Sequence, residues 1–192
     1  MLRVLLIALA LTCPVRAQAP RPLVLEVRIF AGPEEVSDQT RVTVYRTGER
    51  TAPVAQIGPR DERLDIEVAP GIYDVQAIRE RDGRVVSIRW AERLVVMPYP
   101  DEGGRHLEVV NFQNGFGALQ VRARGSNTVP DVGVYAEGVR DKEATVGLPG
   151  AGYVLFVVPA GRYDIQTRTT NRPAWHTAID VPLDRTRLWL VQ

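Results

Sequence analysis

The phrase Val-Ala-Pro-Gly-Ile-Tyr-Asp-Val-Gln at residues 68–76 returns as Val-Pro-Ala-Gly-Arg-Tyr-Asp-Ile-Gln at 158–166, an offset of 90. Gly71 matches Gly161, Tyr73 matches Tyr163, Asp74 matches Asp164 and Gln76 matches Gln166. At the same offset, Val42-x-Val44-Tyr45 matches Val132-x-Val134-Tyr135. Leu25-Glu26-Val27-Arg28 matches Leu119-Gln120-Val121-Arg122 four residues out of step, a shift that a loop between first and second strands absorbs. Self-similarity at a fixed spacing means one structural unit built twice. The expected organisation is therefore two tandem domains, 22–112 and 116–192, joined near 111–117.

The unit is a β unit. No stretch holds a helical period. Short runs alternate between apolar and polar residues, the strand signature. In the first run Leu25, Val27 and Ile29 share one face and Glu26 and Arg28 the other. Breakers such as Gly32-Pro33, Pro70-Gly71, Asp82-Gly83, Asn114-Gly115 and Ala160-Gly161 separate the runs. About six or seven short strands per copy suit an Ig-like or prealbumin-like β-sandwich. The expected fold is all-β: two tandem sandwiches after a cleaved signal peptide. A short connector lets them touch, and two separate cores imply that 20–113 and 115–192 each fold alone.

The repeated phrase is either architecture or a site. Leu64, Ile66 and Val68 alternate with Asp65 and Glu67 up to the Pro70-Gly71 turn, and Tyr73 and Val75 share a face of the next strand. That is the setting of a tyrosine corner, formed here by Gly71 with Tyr73 and Gly161 with Tyr163. The ring packs on the core edge and the hydroxyl bonds to nearby backbone. Glycine before the corner permits φ > 0. Asp74 and Asp164 then point the other way, toward solvent or the turn. Adjacent strand residues face opposite sides of a sheet, so Tyr-Asp does not converge on one ligand.

A strand, a proline and glycine, then Gly-x-Tyr-Asp-[Val/Ile]-Gln running into a strand resembles the transthyretin-like or carboxypeptidase-regulatory-like family. It is also similar to surface repeats of the collagen-adhesin B type. The proline adjoins the glycine at Pro70-Gly71 but lies one residue earlier at Pro159-Ala160-Gly161. The likeness covers both halves, and fibronectin-type sandwiches carry a similar turn. It implies a non-catalytic accessory, adhesive or starch-binding-like module. Some such repeats form a lysine–asparagine cross-link. The only lysine, Lys142, sits in a polar stretch away from a first strand, so no such bond is expected here.

The chain opens with Arg3 and an apolar run over residues 4–13, then small residues. That pattern is a secretory signal peptide. Its run of about ten residues is half the length of about 20 that a spanning helix needs. Cleavage after Ala17 is expected, because cutting after Ala19 would put Pro20 at the scissile bond. Thr12 and Pro14 around Cys13 argue against lipidation. Residues 1–17 take the only cysteine with them, leaving no disulfide and no thiol nucleophile. They also carry Arg3 and Arg16, so 24 − 2 = 22 basic residues remain against 23 acidic, a net charge of −1. That balance offers no bulk attraction to nucleic acid or an anionic membrane. The reliance on arginine over lysine reads first as codon usage and second as an arginine-rich surface. The expected compartment is the periplasm or the outside of the cell.

No catalytic constellation is visible. His106 and His176 fall in different copies without metal-ligand spacing. Ser37, Ser87 and Ser126 stand in no nucleophile elbow. Asp61-Glu62 and Asp101-Glu102 lack the spaced oxygens of a calcium loop, and there is no phosphate-cradling glycine motif. No catalytic, metal or cofactor residue is expected. Trp90 and Trp189 read as strand residues. Trp175, between Arg172 and His176 in a loop leading into a strand, reads first as an ordinary core or edge tryptophan and second as an exposed aromatic that could contact a ligand, with Tyr99 as its counterpart in the first copy. The expected function is an exported, non-enzymatic accessory or interaction module that binds another envelope or extracellular protein. The alternative is a carbohydrate-binding module using exposed tryptophan, and a small hydrolase comes third.

Overall fold

The computed structural model describes residues 22–59, 64–98, 104–168 and 173–191. The expected signal peptide lies outside them. Among the described residues the chain is all-β, with a single 3-10 turn at Ser37–Gln39. The first half supplies β1 (Leu23–Ala31), β2 (Glu34–Glu35), β3 (Thr40–Arg46), β4 (Pro53–Ile57), β5 (Leu64–Val68), β6 (Gly71–Arg81), β7 (Arg84–Val96) and β8 (Arg105–Asn111). The second supplies β9 (Phe116–Ala123), β10 (Val132–Ala136), β11 (Leu148–Gly150), β12 (Tyr153–Pro159), β13 (Gly161–Thr167), β14 (Ala174–Val181) and β15 (Thr186–Val191).

The pairing repeats. β1 lies antiparallel to β5 and parallel to β8, and β9 lies antiparallel to β12 and parallel to β15. Each copy therefore has a central sheet built on its first strand. Each also has an outer sheet, ordered β4-β3-β6-β7 in the first copy and β10-β13-β14 in the second. Between the sheets of the first copy sits a core around Leu25, Val27, Val44, Tyr73 and Val75. Leu119, Val121, Phe156, Tyr163 and Ile165 form its counterpart in the second. The β-sandwich expectation holds.

The outward faces of the two central sheets are not solvated. Phe30, Leu107 and Val109 of the first copy pack with Ala118, Tyr153, Leu155 and Val157 of the second, making a third core. β1, β9 and β12 are thus buried on both faces, and the face carrying Glu26 and Arg28 is interior. The Tyr153 hydroxyl donates to Glu26 Oε1 at 2.5 Å, and Arg105 donates to Glu26 Oε2 at 3.0 Å. Arg28 meets Glu35 through two hydrogen bonds, so these buried charges are paired. Tyr153 fits because Gly150 lies under its ring, where a Cβ would come within 2.0 Å of Cζ. Each half thus has a core of its own, and the two central sheets also cover one another across the third.

Candidate functional site

The Tyr73 hydroxyl donates to the Ala69 carbonyl at 2.6 Å, and the Tyr163 hydroxyl donates to the Pro159 carbonyl at 2.7 Å. Both rings lie in their cores. Gly71 does not use a positive φ, and Gly161 at 159° is close to extended backbone. At Gly71 the need is for space, since a Cβ would stand 3.3 Å from Tyr73 Cε2.

Asp74 and Asp164 are buried, each 2% exposed, rather than turned to solvent. Each sits at a register shift, between Tyr73 and Val75 or between Tyr163 and Ile165. The partner strand bulges there through a residue with positive φ, Arg93 at 57° and Ala178 at 60°. The carboxylate accepts the N–H of that residue, at 3.0 Å from Arg93 and 3.1 Å from Ala178. It also ties down the hairpin turn opposite, through the Thr47 hydroxyl in the first copy and the Gly138 N–H in the second. The repeated Tyr-Asp therefore anchors two different things from one strand.

The phrase's Gln76 and Gln166 lie on the outer faces, opposite Trp90 and Trp175 respectively. Tyr45 packs against Trp90 at 5.8 Å between ring centroids, and Tyr135 against Trp175 at 4.9 Å. Arg50 lies over the Trp90 ring at 4.2 Å and Arg140 over Trp175 at 4.7 Å. Each outer sheet thus carries the same tyrosine–tryptophan–arginine cluster. Arg50 and Arg140 share the offset of 90 already set by Tyr45 and Tyr135, a signal present in the sequence but overlooked. The tryptophans are 85 apart, because the β6–β7 hairpin is longer than its counterpart.

Trp175 is therefore a half-buried strand residue of β14, not a loop aromatic. His176 points to the other face and meets Trp189 at 4.7 Å, so these two residues do not form one contact site. Arg172 and Tyr99 lie outside the described residues. Lys142 is exposed, between β10 and β11.

The copies differ in what surrounds the shared cluster. In the first, Arg50 bridges Asp74, at 3.0 Å, and Glu92. Burial works to raise the Asp74 carboxyl's pKa, but the Arg93 N–H, the Thr47 hydroxyl and Arg50 together hold it below its usual range. These residues, with Gly48 and Thr51, line an open pocket of about 540 Å³. At the positions of Glu92 and Arg93 the second copy has Thr177 and Ala178. Further along the outer face, the cross-strand pair Ile72–Val95 corresponds to Arg162–Asp180. Ile72 and Val95 are 47% and 45% exposed. Ile78 corresponds to Arg168. Among the described residues no group of three or more His, Cys, Asp or Glu is placed to hold a metal, and no helix is long and apolar enough to cross a membrane.

No protein-family model matches this chain, and no curated protein matches it. The likeness to transthyretin-like and carboxypeptidase-regulatory-like repeats therefore rests on the quoted residues alone. Among solved structures, the Bacillus anthracis TIE protein is 14% identical with a TM-score of 0.33, over 88% of this chain and 33% of its own. A leucine-rich repeat protein from Bacteroides thetaiotaomicron is 13% identical with a TM-score of 0.31, over 90% of this chain and 26% of its own. A candidate adhesin from Bacteroides ovatus is 11% identical with a TM-score of 0.33, over 82% and 83%. The chain thus spans a third or less of the first two, and at these TM-scores none of the three informs its function.

Proposed function

We propose that this is an exported, non-enzymatic interaction module that binds another envelope or extracellular protein through the outer sheet of its first copy. The observation that carries the reading is the internal comparison. One scaffold is built twice, so a residue that only one copy needs is not demanded by the scaffold. The outer face of the second copy has the charged pair Arg162–Asp180, as a solvated sheet face should. The first has Ile72–Val95 at that place, and Val54, Val85, Val86, Ile88 and Met97 are also exposed on or beside its strands. Clustered exposed apolar residues mark interaction surfaces. The tryptophans do not serve as sugar platforms on this reading, because Arg50 and Arg140 already cover their rings. The export expectation from the first 17 residues places the module in the periplasm or outside the cell.

The test is capture of partners from the protein's own envelope fraction by the wild type and by the Ile72→Arg/Val95→Asp variant, which copies the charged pair of the second face. The variant should lose a partner that the wild type enriches. Equal capture by both would reject the outer face as the interaction surface. A saturable change in tryptophan fluorescence with a glycan, lost in Trp175→Ala, would favour the carbohydrate alternative.

A further inference from the structure

The β6–β7 hairpin runs on past its own core: between Ala77 and Ala91 none of its strand residues is buried. From Ala77 to Trp90 the first copy runs 13 positions, and from Thr167 to Trp175 the second runs 8, so the scaffold does not demand the added residues. The hairpin turns tightly at Asp82-Gly83, both in positive φ, which sets Arg81 directly opposite Arg84. Alternation from the buried Ala77 puts Arg79 and Arg81 on the core-facing side of β6, and their register partners Arg84 and Ser87, with Arg89, lie on that side of β7. Outside the bulge at Val86, this underside has no apolar side chain beyond Ala77, because Val85 and Ile88 belong to the other face. Arg89 is engaged by Asn114 at 2.8 Å and Asp184 at 2.7 Å and closes the inner end. Arg79 donates through one nitrogen to Gln39 at 2.7 Å. Arg81 and Arg84 are exposed and meet no carboxylate among the described residues, Asp82 of the turn included. On the opposite face Glu80 is matched by Arg41 at 2.7 Å. Like charges set directly opposite one another destabilise a hairpin. The underside therefore carries an uncompensated positive charge on residues that packing does not need.

We propose that this underside binds an acidic polysaccharide through Arg79, Arg81 and Arg84. The inference stands apart from the outer-sheet reading, which concerns the opposite face. Cross-strand Cβ atoms lie about 5 Å apart, so the Arg81 and Arg84 guanidinium groups converge on one oxyanion. Arg79 follows about 7 Å along β6, in reach of the next acidic group of a chain. Guanidinium forks suit carboxylate and similar oxyanions. Ser87 and Gln39 beside them offer hydrogen bonds to hydroxyl groups. A nucleic acid strand would call for aromatic platforms. A lipid surface or an amphipathic peptide would call for apolar side chains beside the charges. Apart from the bulge, this face presents neither. A polymer of hydroxyls with repeated anionic groups matches what it does present.

Calorimetric titration of the mature chain with heparin, a sulfated glycan, and polygalacturonate, a carboxylated one, tests this. Dextran and poly-glutamate serve as the neutral and peptide controls. At least one acidic glycan should bind, more weakly as salt is raised, and which one binds identifies the anionic group. Arg81→Gln/Arg84→Gln should weaken binding at least about tenfold, since both charges that share one oxyanion are lost. The same variant should melt no lower than wild type, because it relieves a like-charge pair, so lost binding is not lost folding. Arg124→Gln, which removes an exposed arginine of the second copy, should bind as wild type. So should Ile72→Arg/Val95→Asp, which rewrites the outer face and leaves the underside alone. No binding of either glycan, undiminished binding in the double arginine variant, or equal weakening in Arg124→Gln overturns the proposal. Poly-glutamate bound as tightly as the glycans overturns it too, since charge alone would then be the attraction.

Discussion

Tyr73 and Asp74 leave one strand on opposite sides and fasten opposite neighbours. The phenol closes a turn four residues back, and the carboxylate holds a bulge and a hairpin turn. Tyr73→Phe and Tyr163→Phe should each cost about 1 kcal/mol, the usual net worth of one hydrogen bond, measured by denaturant midpoints. Asp74→Ala should cost about 1–3 kcal/mol, because it strands the Arg93 N–H at the bulge and frees the exposed Thr47 hydroxyl that it ties down. Asp74 has a depressed folded pKa, so its contribution is present above its ordinary value of 3.8 and is lost as pH falls through the folded value. The acid limb of the stability curve should therefore flatten in Asp74→Ala. The tyrosines' partners were legible in the sequence, because a buried phenol at a turn has few places to send its hydroxyl. The aspartate's face was legible too, but its burial was not. Alternation gives the face of a side chain but not the bulge on the neighbouring strand that takes it up.

At the scale of elements, β7 and β14 occupy one place in the scaffold and present different surfaces. Ile72→Arg/Val95→Asp installs a pair that the other copy already tolerates, so its stability should stay within about 0.5 kcal/mol of wild type, as for surface substitutions generally. A larger loss in thermal unfolding would mean that the apolar pair supports the fold rather than a partner. Strand existence was readable from alternation and breakers. The placement of Trp175 was not, because Pro173 suggests a loop and the bulge at Ala178 breaks the two-residue period that would have marked the strand. The paired tryptophan clusters were hidden for a similar reason: five added hairpin residues move Trp90 and Trp175 off the common offset.

At the scale of the whole molecule, the described residues form four sheets in series, with a third core at their centre that the sequence disguised. Glu26 and Arg28 alternate like a solvated face, yet they are 1% and 8% exposed, because Tyr153, Arg105 and Glu35 partner them. The junction also buries Glu108, whose backbone neighbour Val109 donates to Thr186 of the second copy at 2.8 Å. Burial raises the Glu108 carboxyl to about 7, against the opposing pull of His106, Arg185 and the Thr186 N–H. The folded state then holds a proton that the unfolded chain releases from about 4.5, so stability should fall as pH rises from about 4.5 to about 7. The fall is on the order of 3 kcal/mol. Glu108→Gln should remove that slope in denaturant midpoints taken across the window, which lies above the Asp74 limb.

The most direct measurement of the central claim, that one scaffold is duplicated and only its first outer sheet meets a partner protein, is hydrogen exchange read peptide by peptide with and without the partner captured from the envelope fraction. The account predicts added protection in β4, β6 and β7, with β10, β13 and β14 exchanging as in the free protein. Protection confined to β13 and β14, or spread equally over both outer sheets, would contradict it.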